Sequence, residues 1–191
     1  MSSLFSTIIA AALVNNIVFV HLLGVSSLFA FSRRLDAAAE LALLAAISMF
    51  PALVICAALD RLILDPLDVR FLNLLAFVFV TAAIATILMQ LLSKHFPLLA
   101  RKHSLAVAML SCNSVIIGAA FMAVGSLLSF PLQVAYSLGT VLGFVLALMA
   151  FAAIRQRCEL AALPDAMRGP AIDLICAGIA AMCFLGFAGL V

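Results

Sequence analysis

Leu13-Val14-Asn15-Asn16-Ile17-Val18-Phe19-Val20-His21-Leu22-Leu23-Gly24-Val25-Ser26-Ser27 lies inside a membrane span that does not stay apolar. The run around it, residues 4–31, is more than long enough to cross a bilayer, which takes about 20 apolar residues. Asn15, Asn16 and His21 interrupt it, followed by Gly24-Val25-Ser26-Ser27. An unsatisfied amide in hydrocarbon costs several kcal/mol, so these side chains must face protein, water or a cofactor. A second run, residues 104–127, carries a similar break: Ser111-Cys112-Asn113-Ser114, then Gly118. Asn15-Asn16-Ile17-Val18 can be laid over Asn113-Ser114-Val115-Ile116.

Four more apolar spans complete the chain: residues 37–59, with Pro51 as a kink point, 71–92, 132–154 and 171–191. The chain is 68% hydrophobic and 9% charged, against about 25% charged in a soluble domain. Six spans of ~20 residues leave only short loops and no room for a soluble catalytic domain. No signal-peptide pattern precedes the first span, which is expected to be retained. The net charge of +2 follows from topology and gives no reason to invoke nucleic acid.

Charge sets the orientation. Loops one, three and five hold Arg33 and Arg34; Lys94, Arg101 and Lys102; and Arg155, Arg157 and Arg168. Only Arg61 and Arg70 lie on the other side, in a loop that also holds Asp60, Asp65 and Asp68. Basic loops stay cytoplasmic, so six spans place both termini outside. The two polar breaks each fall in the first span of a three-span half, approximately residues 1–95 and 96–191. Three is odd, so the halves run oppositely through the membrane. The expected fold is all-α, a single membrane domain of six helices in an inverted repeat with spans one and four interrupted. In that architecture paired broken helices meet near the midplane and form a site.

Each polar residue has a bland and a functional reading. Asn15, Asn16 and Asn113 either cap the breaks and bond between helices or line an ion path. His21 is a proton or metal group, or an inert interfacial side chain. Asp173, at the cytoplasmic start of span six, is expected to be solvated at the interface, with proton or ion handling as the alternative. Cys56, Cys158, Cys176 and Cys183 are expected to act as small apolar residues, and no CxxC pair occurs. Nothing supplies a nucleophile with its base, a phosphate loop or a helical His pair.

Several stretches resemble one family. They are Leu13-Val14-Asn15-Asn16 with Leu23-Gly24, Ser32-Arg33-Arg34-Leu35, Asn113 with Gly118, and Phe151-Ala152-Ala153-Ile154-Arg155. In the tail they are Pro164, Arg168-Gly169, Ala171-Ile172, Ala177-Gly178 and Gly186-Phe187. The chain resembles, end to end, the NqrDE/RnfAE family, and within it the RnfA-like subunits of the Rnf electron-transport complex. The resemblance implies six helices as an inverted repeat with periplasmic termini in a bacterial inner membrane. It implies pairing with an RnfE-like homologous subunit, together with B-, C-, D- and G-like subunits. Such a complex passes electrons between ferredoxin and NAD, coupled to sodium or proton translocation. The family's two homologous subunits together hold a [2Fe-2S] cluster at the midplane, each giving one cysteine from each broken helix.

Here the chain departs from the pattern. The family's cysteine after Leu-Gly-x is Ser26, and the cysteine after Asn is Ser114. Iron–sulfur clusters are held by thiolates, so two serines put an ordinary cluster in doubt. Cys112 is two residues before Ser114, about 200° away on a regular helix but free to turn inward in a broken one. Three readings stay open. A cluster is held by the partner's cysteines plus Ser26, Ser114 or Cys112; or no metal is bound and the chain is a scaffold half; or ligands lie elsewhere. The rival functions are a stand-alone secondary transporter and a purely structural membrane subunit.

Overall fold

The computed structural model describes residues 2–32, 35–95, 114–125, 129–160 and 169–187, all helix, turn or loop with no strand among them. Helix α1 spans Ser2–Ile9 and widens into a π turn over Ala10–Val14. Helix α2 spans Val25–Phe31, α3 Leu35–Leu59 and α4 Asn73–His95. Helix α5 spans Ser114–Gly125, α6 Phe130–Leu160 and α7 Pro170–Leu185. Three helical stretches are long and apolar enough to cross a membrane: Leu35–Leu64, Arg70–His95 and Phe130–Cys158. Ser3–Val14, Ser114–Gly125 and Pro170–Leu185 are shorter apolar helices.

The core lies between α3 and α6, which make the broadest helix–helix interface among the described residues. Helix α3 buries Ala38, Leu41, Ala42, Ala45, Met49, Ala52, Leu53 and Cys56, a stripe at three- and four-residue spacing. Helix α6 answers with Val141, Phe144, Ala147, Leu148, Phe151 and Ala152. Alanine recurs on both faces because association in lipid depends on close packing rather than on water exclusion. Pro51 is accommodated within α3. Helix α4 is peripheral: Leu74, Leu75, Phe79, Ile87 and Leu91 are each more than half exposed, as suits lipid or a neighbouring protein.

Helix α1 and the segment that follows it run alongside α6 in the same direction. A Cβ on Gly139 would stand 2.6 Å from the Ile8 carbonyl oxygen, and one on Gly143 would stand 2.8 Å from that of Ala12. Farther along, Phe29 packs on Phe151 at 5.5 Å between ring centroids, and Arg155 donates to the Phe29 carbonyl. The small-xxx-small pair Gly139 and Gly143 is what admits α1 so closely.

Two expectations need correction. Loop five is expected to hold Arg155 and Arg157, but α6 continues through both to Leu160. Arginine is a good helix former with a long apolar stem, so a basic residue does not by itself end a helix. Asp173 is buried rather than solvated, for the reason given below.

Candidate functional site: the interrupted first span

Asn16 is fully buried at the break in span one. The π turn closes with the Asn15 N–H donating to the Ala10 carbonyl at 2.7 Å, and Asn15 leaves helical geometry. The Asn16 amide then takes over from the helix. Its Nδ2 donates to the Ala12 carbonyl at 2.9 Å and to the Gly143 carbonyl on α6 at 3.0 Å. Its Oδ1 accepts from the Val18 N–H at 3.0 Å and the Phe19 N–H at 3.3 Å. Two carbonyls face the NH2 and two N–H groups face the oxygen, so only one amide orientation satisfies all four. Asparagine competes with the backbone in this way, which is why it ends a helix.

The segment 15–24 that follows is non-helical but buried in protein at Ile17, Val18 and Phe19. That is the condition under which irregular backbone is tolerated at membrane depth. It ends with two left-handed residues, Leu22 at φ 55° and Gly24 at φ 77°. Glycine adopts that region freely, whereas Leu22 holds it at a cost on the order of 1–3 kcal/mol. Helix α2 starts immediately afterward.

At this point the interrupted segment meets α5. The Gly24 N–H donates to Ser114 Oγ on α5 at 3.1 Å. One turn on, a Cβ at Gly118 would run into the Leu23 side chain. Ser26 and Ser114 are both exposed, and so are Asn15 and His21. Cys112 and Asn113 lie outside the described residues. The structure therefore joins the segment leading into Ser26 to Ser114 and seats Asn16 against Gly143. Ser114 acts here as a neutral hydrogen-bond acceptor. Among the described residues Cys176 and Cys183 on α7 line a cavity with Phe19 of the break, but no three metal-ligating side chains come together there. The described donor set at the break, two hydroxyls, does not fit a thiolate-held cluster.

A second polar cluster, whose members the sequence does not link, lies where α2 ends and α7 begins. Arg155 Nη2 pairs with Asp173 Oδ2 at 2.8 Å, while Nη1 donates to the Phe29 carbonyl at 2.9 Å and to Ser32 Oγ at 3.1 Å. One guanidinium thus ties α2, α6 and α7. Asp173 is buried because it has this partner; an unpaired carboxylate there would pull toward water. The signal available in sequence is Phe151-Ala152-Ala153-Ile154-Arg155, whose final residue is the anchor.

The family described as "Rnf-Nqr subunit, membrane protein" matches residues 4–191. A protein of Syntrophotalea carbinolica, named as the A subunit of an ion-translocating oxidoreductase complex, is 32% identical over 191 residues, covering 100% of this chain and 99% of the relative. Relatives bearing the same name in Rhodobacter capsulatus and Pseudomonas paraeruginosa are 32% and 33% identical, each covering 100% of this chain and 99% of their own length.

Proposed function

The chain belongs to the Rnf-Nqr family of membrane subunits, and from that premise we propose that it is one subunit of an ion-translocating oxidoreductase complex. Its role there is to form half of a midplane path facing an RnfE-like homologous subunit, with B-, C-, D- and G-like subunits completing the assembly. The complex would couple electron transfer between ferredoxin and NAD to movement of sodium or protons. It would sit in the bacterial inner membrane with both termini periplasmic.

One observation carries this reading: the break in span one, held by Asn16, meets the second half of the chain through Gly24 and Ser114. That is the meeting an inverted repeat of six spans requires of its two interrupted helices. The parallel course of span one and α6 fits the same count, because three crossings between them restore direction. The broad α3–α6 interface is what the pairing of the middle spans of two such halves would give.

In this role Asn16 holds the break closed on α6, and the exposed Asn15 faces the path. Leu22 and Gly24 are the left-handed points about which segment 15–24 can move, and Arg155 with Asp173 closes the cytoplasmic end. A change of charge in the complex would bias which face opens by stabilising one of two arrangements of that segment. The Ser26 and Ser114 hydroxyls favour one second reading, a purely structural role, in which Ser114 serves only to receive the Gly24 N–H.

The test is the number of ions moved per electron in membrane vesicles carrying the complex, with Asn16→Ala and Ser114→Ala compared with the unaltered chain. The ratio falls while electron transfer continues and the complex stays assembled. Unchanged coupling in both variants contradicts the proposal. A stand-alone secondary transporter would instead keep its activity when the other subunits are deleted.

A further inference from the structure

Cys158 and Cys176 are 18 residues apart in sequence, on α6 and α7, yet their sulfurs are 3.7 Å apart. Both side chains are half-buried, open enough for a small reagent to reach. They stand beside the charged closure: Cys158 follows Arg155, and Cys176 follows Asp173, by three residues on the same helix face. Neither belongs to the interrupted segment.

We propose that Cys158 and Cys176 form a reversible disulfide, a redox-modification site that fastens the end of α6 to the start of α7. The sulfurs need to approach by only about 1.7 Å to reach the ~2.05 Å of the bond. The oxidant is a small disulfide of the glutathione class. The Cys158 thiolate attacks one of its sulfurs, forming a mixed disulfide and releasing the first small thiol. The Cys176 thiolate then attacks the Cys158 sulfur, forming the protein disulfide and releasing the second. Two protein thiols are oxidised, and their two protons and two electrons end on the two small thiols. On the cytoplasmic side the pair is reduced by default, so the bond forms under oxidative stress and is undone afterward. While it lasts, it holds Arg155 against Asp173 and stops α7 from moving relative to α6.

The test uses inside-out membrane vesicles carrying the intact complex, treated with oxidised glutathione and then with an alkylating agent. Trypsin cleaves after Arg157 and Arg168, leaving Cys158 on fragment 158–168 and Cys176 with Cys183 on fragment 169–191. The two separate alkylated fragments should be lost in favour of one disulfide-joined species that maps to Cys176. Dithiothreitol should reverse it, Cys183→Ala should keep it, and Cys158→Ser or Cys176→Ser should each abolish it. Fragments that stay separate while an added small dithiol is fully oxidised, or a bond to Cys183, overturn the proposal. This readout needs neither electron flow nor transport, so it stands or falls apart from the proposed function.

Discussion

Two arginines at opposite ends of the bundle make ion pairs of nearly the same length and very different consequence. Arg70 reaches Asp65 at 2.9 Å, with the two side chains 47% and 53% exposed. Arg155 reaches Asp173 at 2.8 Å, with exposures of 16% and 8%. Distance therefore says little about energy here, and burial decides. The outer pair joins two residues of one connection between α3 and α4, is screened by water, and sits in a class worth about 0–1 kcal/mol. The inner pair joins α6 to α7, with the same guanidinium also bonded to α2, and its members have little water to fall back on.

The largest effect is expected at the inner pair. Asp173→Ala leaves the Arg155 guanidinium buried without its carboxylate, which costs about 3–5 kcal/mol. Thermal unfolding of the purified complex should show it, and an unchanged midpoint would mean that Arg155 finds water there. Next comes Asn16→Ala, which strands the Val18 and Phe19 N–H groups in the break; a loss on the order of 3 kcal/mol follows from leaving such groups unpaired. Proteolysis of segment 15–24 in vesicles would report the loosened break. Gly143→Ala puts a methyl 2.8 Å from the Ala12 carbonyl, an overpacking cost of about 1–3 kcal/mol. A stability equal to that of the unaltered chain would show that α1 and α6 are not in such close contact. Smallest is Asp65→Ala, at under about 1 kcal/mol and weaker still in high salt. A loss as large as that of Asp173→Ala would erase the contrast between the two ends.

The same contrast marks what is legible in the sequence. The break in span one is readable because Asn15, Asn16 and Gly24 act locally, on backbone within a few residues. The apolar spans are readable because their length and hydropathy are local properties too, and residues 37–59 and 71–92 fall within α3 and α4 apart from the short turn of Arg70–Leu72. The partnership of Arg155 with Asp173 is not, because it depends on how α6 and α7 lie against each other. Arg155 reads as a loop charge and Asp173 as an interfacial one, each placed near the basic end of the bundle with nothing to name its neighbour. Cys158 and Cys176 read as two separate small residues for the same reason. At the site itself Asn16 is legible as a polar group needing partners, but its seat on Gly143, 127 residues away, is not.

The most direct measurement is a density map of the intact complex, sharp enough to show what faces Ser26 and Ser114. The expected result is six crossings by this chain, both termini on the face opposite its basic loops. A homologous subunit of opposite orientation should lie against the two serines. Lipid against both serines, with no protein facing them, would contradict a shared midplane path.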